Sequence, residues 1–228
     1  MALSTNSVQS CLKGVGKVSQ TDPLDDWLSI QPTKVHRRAN RLMSVVRDAY
    51  PIGVPAFIVK SQTDRLGDSG GYAFHLGTPD DVLRRICSWL LTHGEERVLL
   101  ELVHQLWKRH GREDIALAAL LLANLQTVDN VWEVLGGVIG SSSTAEALLL
   151  SIEECLRAKH APPGEEVLIR WCRRSLAHSH LALLVCHAAW VRAKRPPLSV
   201  SLSDQFRSIS YPDGDSLLVR IRDQMLDS

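Results

Sequence analysis

The chain has 228 residues, of which 45% are hydrophobic and 22% charged, and its net charge is +1 at pH 7. This composition suits a globular protein with a sizeable core, and the near-neutral charge excludes nucleic-acid binding by overall charge, so such binding would need a local basic face. No apolar run reaches the roughly 18 residues of a membrane span, and an odd number of cysteines, five, predicts reduced thiols in a cytoplasmic protein.

The elements in chain order divide the protein into three parts. Residues 1–33 are polar at first and predict a flexible N-terminal arm. Residues 34–195 predict a helical-repeat domain, which opens with an amphipathic helix over Lys34–Tyr50 and continues through a glycine-rich loop over Gly53–Gly77. Residues 196–228 predict a C-terminal tail with one short helix.

From residue 78 the pattern is helix, short break, helix. Thr78 and Pro79 are typical of a helix start, with Thr78 as the N-cap. Because the connections are short, neighbouring helices should be antiparallel, which favours an all-α, HEAT-like α-solenoid of antiparallel helix pairs. No crisp repeat motif recurs, so an irregular helical bundle is the alternative. The predicted helices span 78–93, 95–110, 112–125, 165–178, 180–194 and, in the tail, 216–225. Two more lie between them: one capped by Asp129 or Asn130 that ends at Ile139, and one that starts at Ser142, Ser143 or Thr144 and ends near Lys159.

The basic residues are unevenly distributed. Lys34–Lys60 holds six basic residues and one acid, and Ser151–Arg195 holds eight basic residues and four acids. Aligned helix ends would place such cations in one stripe along a phosphate backbone, whereas the simpler interpretation is that they complement helix dipoles. The candidate DNA-binding residues are Arg38, Arg41, Arg109, Arg112, Arg170, Arg173, Arg174, Arg192 and Lys194.

Four segments together resemble one known family. They are HLGTPDDVLRRICSWL from His75, ELVHQLWKRHGREDIALAALLL from Glu101, VDNVWEVLGGVIG from Val128 and WCRRSLAHSHLALLVCHAAWVRAKR from Trp171. The chain resembles the DNA alkylation repair family of HEAT-like DNA glycosylases over roughly residues 34–195. The resemblance implies a curved solenoid that holds duplex DNA and excises bases of the 3-methyladenine or 7-methylguanine type.

The resemblance also assigns residues. Trp132 would present its ring to a cationic base, but the family's aspartate falls on Gly136, which has no side chain. Asp129 or Glu133 would then have to supply the acid that stabilises charge on the sugar. A buried tryptophan at a helix start explains Trp132 equally simply. The centre therefore looks incomplete.

Two hypotheses follow from the sequence. The first is a DNA-binding protein with weak, altered or lost excision, and the second is a non-catalytic scaffold for a protein partner. We predict no cofactor, no metal and no membrane contact. In particular, Cys172, His178, His180, Cys186 and His187 lack the tight spacing of a structural zinc site.

Overall fold

The computed structural model describes residues 22–58, 71–126, 130–140, 144–211 and 216–227. Within these ranges the chain is helical or irregular, and no residue lies in a β-strand, so the all-α prediction is confirmed for them. The helices are α1 Pro23–Ser29, a 3-10 helix Thr33–Arg37, α2 Ala39–Ala49, α3 Asp80–His93, α4 Glu96–Arg109, α5 Arg112–Asn124, α6 Val131–Val138, α7 Ala145–Arg157, α8 Glu165–Cys172, α9 Leu176–Arg192, α10 Val200–Arg207 and α11 Ser216–Leu226.

Two helices, α5 and α9, form the centre of the protein. Both are apolar on all sides, so nearly every residue from Ile115 to Ala123 and from Leu181 to Cys186 is buried. The other helices are amphipathic; α3, for example, buries Leu83, Ile86 and Leu90 on one face. Helices without a polar face need neighbours all round, which is why the amphipathic helices surround α5 and α9.

The helices pack in two series. In the odd-numbered series, α3 packs on α5, α5 on α7, α7 on α9 and α9 on α11. In the even-numbered series, α2 packs on α4, α4 on α6, and α8 on α10. The series contact each other mainly where α4 meets α5 and where α8 meets α9. The buried residues of both series belong to one hydrophobic cluster.

Side-chain contacts give the direction of the helices. The Gln126 amide, just after α5, donates to Glu96 at the start of α4, so these neighbours are antiparallel. His160, after α7, bonds the carbonyl of Ala123 near the end of α5, so α5 and α7 run the same way. Arg192, at the end of α9, pairs with Glu153 in the second half of α7. The amino ends of α5, α7 and α9 therefore lie at one end of the molecule.

Some helix boundaries differ from the predicted ones. The predicted helix over Lys34–Tyr50 is interrupted at Arg38, whose backbone is extended, so that the preceding 3-10 helix can bury Val35 and His36. Thr78 does not cap α3, because its hydroxyl donates to the carbonyl of Tyr50, and Pro79 takes the cap position. The predicted helix over 165–178 stops at Cys172, since Ser175 caps α9.

The tail contains two described helices rather than one. Helix α10, which the sequence analysis missed, begins where the Ser199 hydroxyl accepts from the Leu202 amide. It packs on α8, while α11 packs on α9. Phe206 is fully buried and joins the same core cluster as the central helices. The hydrophobic core therefore continues past residue 196.

Candidate functional site

Trp132 lies inside the protein at the start of α6. Asn130 caps the helix, and its side-chain oxygen accepts from the amides of Trp132 and Glu133. The indole is 3% exposed, and its Nε1 donates to the carbonyl of Ala161 at 2.6 Å. A ring held in this way packs in the core, and its face is not open to a base.

Of the two candidate acids, the structure describes Glu133, and it lies apart from that ring. Glu133 is 43% exposed and forms an ion pair with Arg170 of α8. Its carboxylate therefore points to the surface of α6, whereas the ring of Trp132 points inward. Asp129 lies outside the described residues. The structure thus places Trp132 and Glu133 on different sides of the helix.

Gly136, at the position of the family's aspartate, is covered by another tryptophan. A Cβ atom built on Gly136 would lie 3.6 Å from the ring of Trp171, which is 1% exposed. The Trp171 Nε1 atom is buried without a hydrogen-bond partner among the described residues. The glycine therefore provides the flat surface on which the Trp171 indole packs, and no solvent-facing acid could project from this position.

His178, in the first turn of α9, connects the same region by hydrogen bonds. Its Nε2 bonds the Gly136 carbonyl at 3.0 Å, and since a carbonyl only accepts, Nε2 carries the proton. Its Nδ1 then accepts from the Ser175 hydroxyl at 2.7 Å. Burial, and then the charge of Arg174, lower the pKa of His178, so the ring is held neutral. These hydrogen bonds join α6 to α9, and they occupy both ring nitrogens of His178.

The nine candidate DNA-binding cations fall at two opposite ends of the molecule. Arg109, Arg112, Arg170, Arg173 and Arg174 lie where α4 and α8 end and α5 and α9 begin, and we call these five residues the basic rim. The other four lie at the opposite end, because they stand at the start of α2 or the end of α9: Arg38, Arg41, Arg192 and Lys194.

Within the basic rim, three arginines already have acidic partners. Arg109 lies 3.3 Å from Asp114, and its guanidinium stacks on the ring of Phe74. Arg112 lies 3.9 Å from Asp80. Arg170 forms an ion pair with Glu133. Arg173 and Arg174 are exposed and form no ion pair with any residue in the described ranges. These two are therefore the cations of the rim that remain available to an external anion.

A buried polar cluster lies beside the rim, and the sequence analysis did not predict it. Glu113 and Asp114 are both fully buried in the first turn of α5. Glu113 accepts from the amides of Leu76 and Gly77, and Asp114 accepts from the Tyr50 hydroxyl at 3.0 Å. The cluster thus ties the segment before α3 and the end of α2 to the central helix. The available signal was a pair of adjacent acids preceding the apolar run IALAALLLA.

No group of three or more His, Cys, Asp or Glu side chains in the described part of the chain could hold a metal ion. Cys87, Cys155, Cys172 and Cys186 are free thiols, and burial raises the pKa of each. None of the described helices combines the length and apolar character needed to cross a bilayer.

Comparison of the chain with protein-family models, curated proteins and solved structures finds no match.

Proposed function

We propose that the two helix series are the layers of a HEAT-like α-solenoid of antiparallel helix pairs, and that the protein binds duplex DNA through the basic rim. The packing of each odd-numbered helix on the next supports the solenoid, because stacked helix pairs make such contacts. The four segments that resemble the alkylation repair family favour DNA as the ligand.

The observation that carries the DNA proposal is the pair of exposed, unpaired cations Arg173 and Arg174. They sit at the carboxyl end of α8, on the same end of the molecule as Arg109, Arg112 and Arg170. Arginines without acidic partners can neutralise phosphates directly, and the release of the DNA's counterions then favours binding, whereas paired arginines must first break an ion pair. The DNA backbone is therefore expected to contact this part of the rim.

In this proposal the protein binds DNA without excising bases. Trp132 is buried and hydrogen-bonded, Glu133 is held by Arg170, and Gly136 offers no carboxylate. Each of these features removes one part of the family's chemistry, since a cation–π face and an acid must converge on the same nucleotide. Location in the cytoplasm is part of the same proposal, and the free buried thiols support it.

The test compares duplex binding by the Arg173→Gln/Arg174→Gln variant with wild type at several salt concentrations. Wild type should bind with a steep salt dependence, and the slope of log K against log[salt] should fall by about 2 in the variant, since each lost phosphate contact contributes about 0.9. The matched control is Arg38→Gln/Lys194→Gln, which removes two exposed cations from the opposite end and should leave the slope unchanged.

Equal slopes for both double variants would place the DNA elsewhere, and salt-independent or absent binding by wild type would refute a DNA function. Excision is measured separately as release of an alkylated base from duplex DNA. We expect none from wild type or from Trp132→Ala, and release that depends on Trp132 would show that the glycosylase centre is intact.

The second candidate function is a scaffold for a protein partner, and one observation favours it. A groove of about 510 Å³ opens between α7, α9 and α11, with a floor of Leu149, Ala188 and Ile221. Val191 on its edge is 43% exposed. Apolar surface of this kind is common where proteins bind each other. This function becomes the better explanation if duplex DNA fails to bind.

A further inference from the structure

The groove between α7, α9 and α11 has the shape of a site for one more helix. Helix α9 forms its floor, while α7 and α11, which both pack on α9 but make little contact with each other, form its walls. On α11 the lining positions include Leu217, Ile221 and Gln224, which is the spacing of one helix face. They span about two helical turns, or roughly 10 Å. A helix that lies along α9 would contact all three helices of the groove.

The lining of the groove does not suit the other common ways of binding a peptide. No residue in the described ranges lies in a β-strand, so they offer no sheet edge with which an extended peptide could pair. Among the described residues that line the groove, none is Trp, Tyr or Phe, whereas sites for proline-rich segments are lined by aromatic side chains. The apolar floor instead suits the apolar stripe of an amphipathic helix.

Apolar surface in the groove is open to such a helix. Val191 is 43% exposed, and Leu149 and Leu217 are half-buried. Every described α-helix of the chain already contributes apolar residues to the common core. The helix that covers this surface would therefore come from another protein.

Cations outnumber acids around the groove. Arg192 and Arg220 line it, and Arg195 lies close by, since its charge adds to the effect of burial in lowering the pKa of His187. The lining carboxylate, Glu153, is already held by Arg192 at 2.8 Å. Three guanidinium groups and one carboxylate leave an excess of two positive charges. Acidic residues on the edges of a partner helix would complement this excess.

We propose that the groove binds an amphipathic helix of a protein partner, with the apolar face of that helix on α9 and acidic residues along its edges. This proposal rests on the second candidate function, the scaffold, and names the chemistry of its partner. Buried apolar contacts supply most of the affinity, while the charges favour the correct partner and speed its association. The groove lies towards the carboxyl end of α9, whereas the basic rim lies at its start, so DNA and the partner helix would not compete.

The experiment selects helical peptides from a displayed library against the full chain. Each member carries Leu at positions i, i+3, i+4 and i+7, and its edge positions vary among Glu, Gln and Lys. We expect the bound members to be enriched in Glu over Lys. The affinity of one selected peptide should fall about tenfold in Val191→Gln, because an amide replaces apolar contact surface. Val200→Gln, at a valine 78% exposed on α10, is the matched control and should bind as wild type does.

The charge component is tested with Arg220→Glu, at an exposed position, which should shift the selected edges from Glu towards Lys. Failure of every helix to bind, or binding that Val191→Gln leaves unchanged, would overturn the proposal. Equal selection of Glu and Lys would keep the scaffold function but overturn the acidic partner. Self-association of wild type that Val191→Gln abolishes would overturn it too, by assigning the groove to a second copy. Duplex DNA binding is measured without peptide, so none of these results bears on it.

Discussion

At the scale of single residues, the surroundings of the Asp114 carboxylate disfavour its ionised form. Burial raises the pKa of Asp114 to about 6, although Arg109 and the Tyr50 hydroxyl act in the opposite direction. The desolvation of the ionised form thus outweighs both partners. Tyr50 responds in the same sense, since burial and then the charge of Asp114 raise its pKa well above the ordinary value.

This imbalance predicts a specific dependence of stability on pH. A carboxyl group whose pKa is higher in the folded state than in the unfolded one stabilises the fold when protonated, and this stabilisation is lost as pH rises from about 4 through about 6. The loss amounts to roughly 3 kcal/mol, at 1.36 kcal/mol per pKa unit. Asp114→Asn should remove this component, so wild type should lose stability relative to the variant over that range.

Urea denaturation at a series of pH values measures the difference. Identical pH profiles for wild type and Asp114→Asn would contradict it. A second variant, Tyr50→Phe, removes one hydrogen bond that favours the carboxylate, and should therefore move the same loss of stability to a higher pH.

At the scale of helices, two glycines near helix ends predict opposite effects when replaced by alanine. Gly137 lies in the last turn of α6, and a Cβ there would meet no described atom within 4 Å. Gly137→Ala should therefore raise the free energy of unfolding by roughly 0.5–1 kcal/mol, because alanine loses less backbone freedom on folding. Thermal or chemical denaturation will measure this, and a destabilised Gly137→Ala protein would contradict the open space next to α6.

Gly111, just before α5, is the opposing case. A Cβ atom there would lie 2.0 Å from the ring of Phe74. The Arg112 amide donates to the Phe74 carbonyl and holds its backbone, and the guanidinium of Arg109 lies over its ring. Gly111→Ala should cost about 1–3 kcal/mol through overpacking. Stability equal to wild type would mean that the Phe74 segment moves freely.

Helix ends were predictable where a local cap decided them. Asn130 and Thr144 both cap the helix that follows them, and each is among the two or three neighbouring cap residues that the sequence offers, because an N-cap bond joins residues two or three positions apart. Thr78 was not predictable, since its hydroxyl bonds Tyr50, 28 positions earlier in the chain. A cap residue that finds a distant acceptor cannot be distinguished by local pattern alone.

At the scale of the whole molecule, the tail is predicted to unfold together with the central helices. Phe206 of α10 is fully buried in the common core, so Phe206→Ala should cost about 3–5 kcal/mol and leave a single unfolding transition. Val200→Ala, at a position 78% exposed on the same helix, should stay within about 0.5 kcal/mol of wild type. A separate, weaker transition in the Phe206→Ala protein would mean that the tail folds on its own.

The sequence by itself determined that the described chain is helical, approximately where most helices lie, and that the apolar run from Ile115 to Ala123 forms a buried helix. These properties depend on the spacing of side chains along one helix, which is readable from neighbouring positions. The tertiary structure decided what each candidate residue contacts: Trp132 meets Ala161, Gly136 meets Trp171, and His36 meets His93. Such contacts depend on how whole helices pack, and no local pattern encodes them.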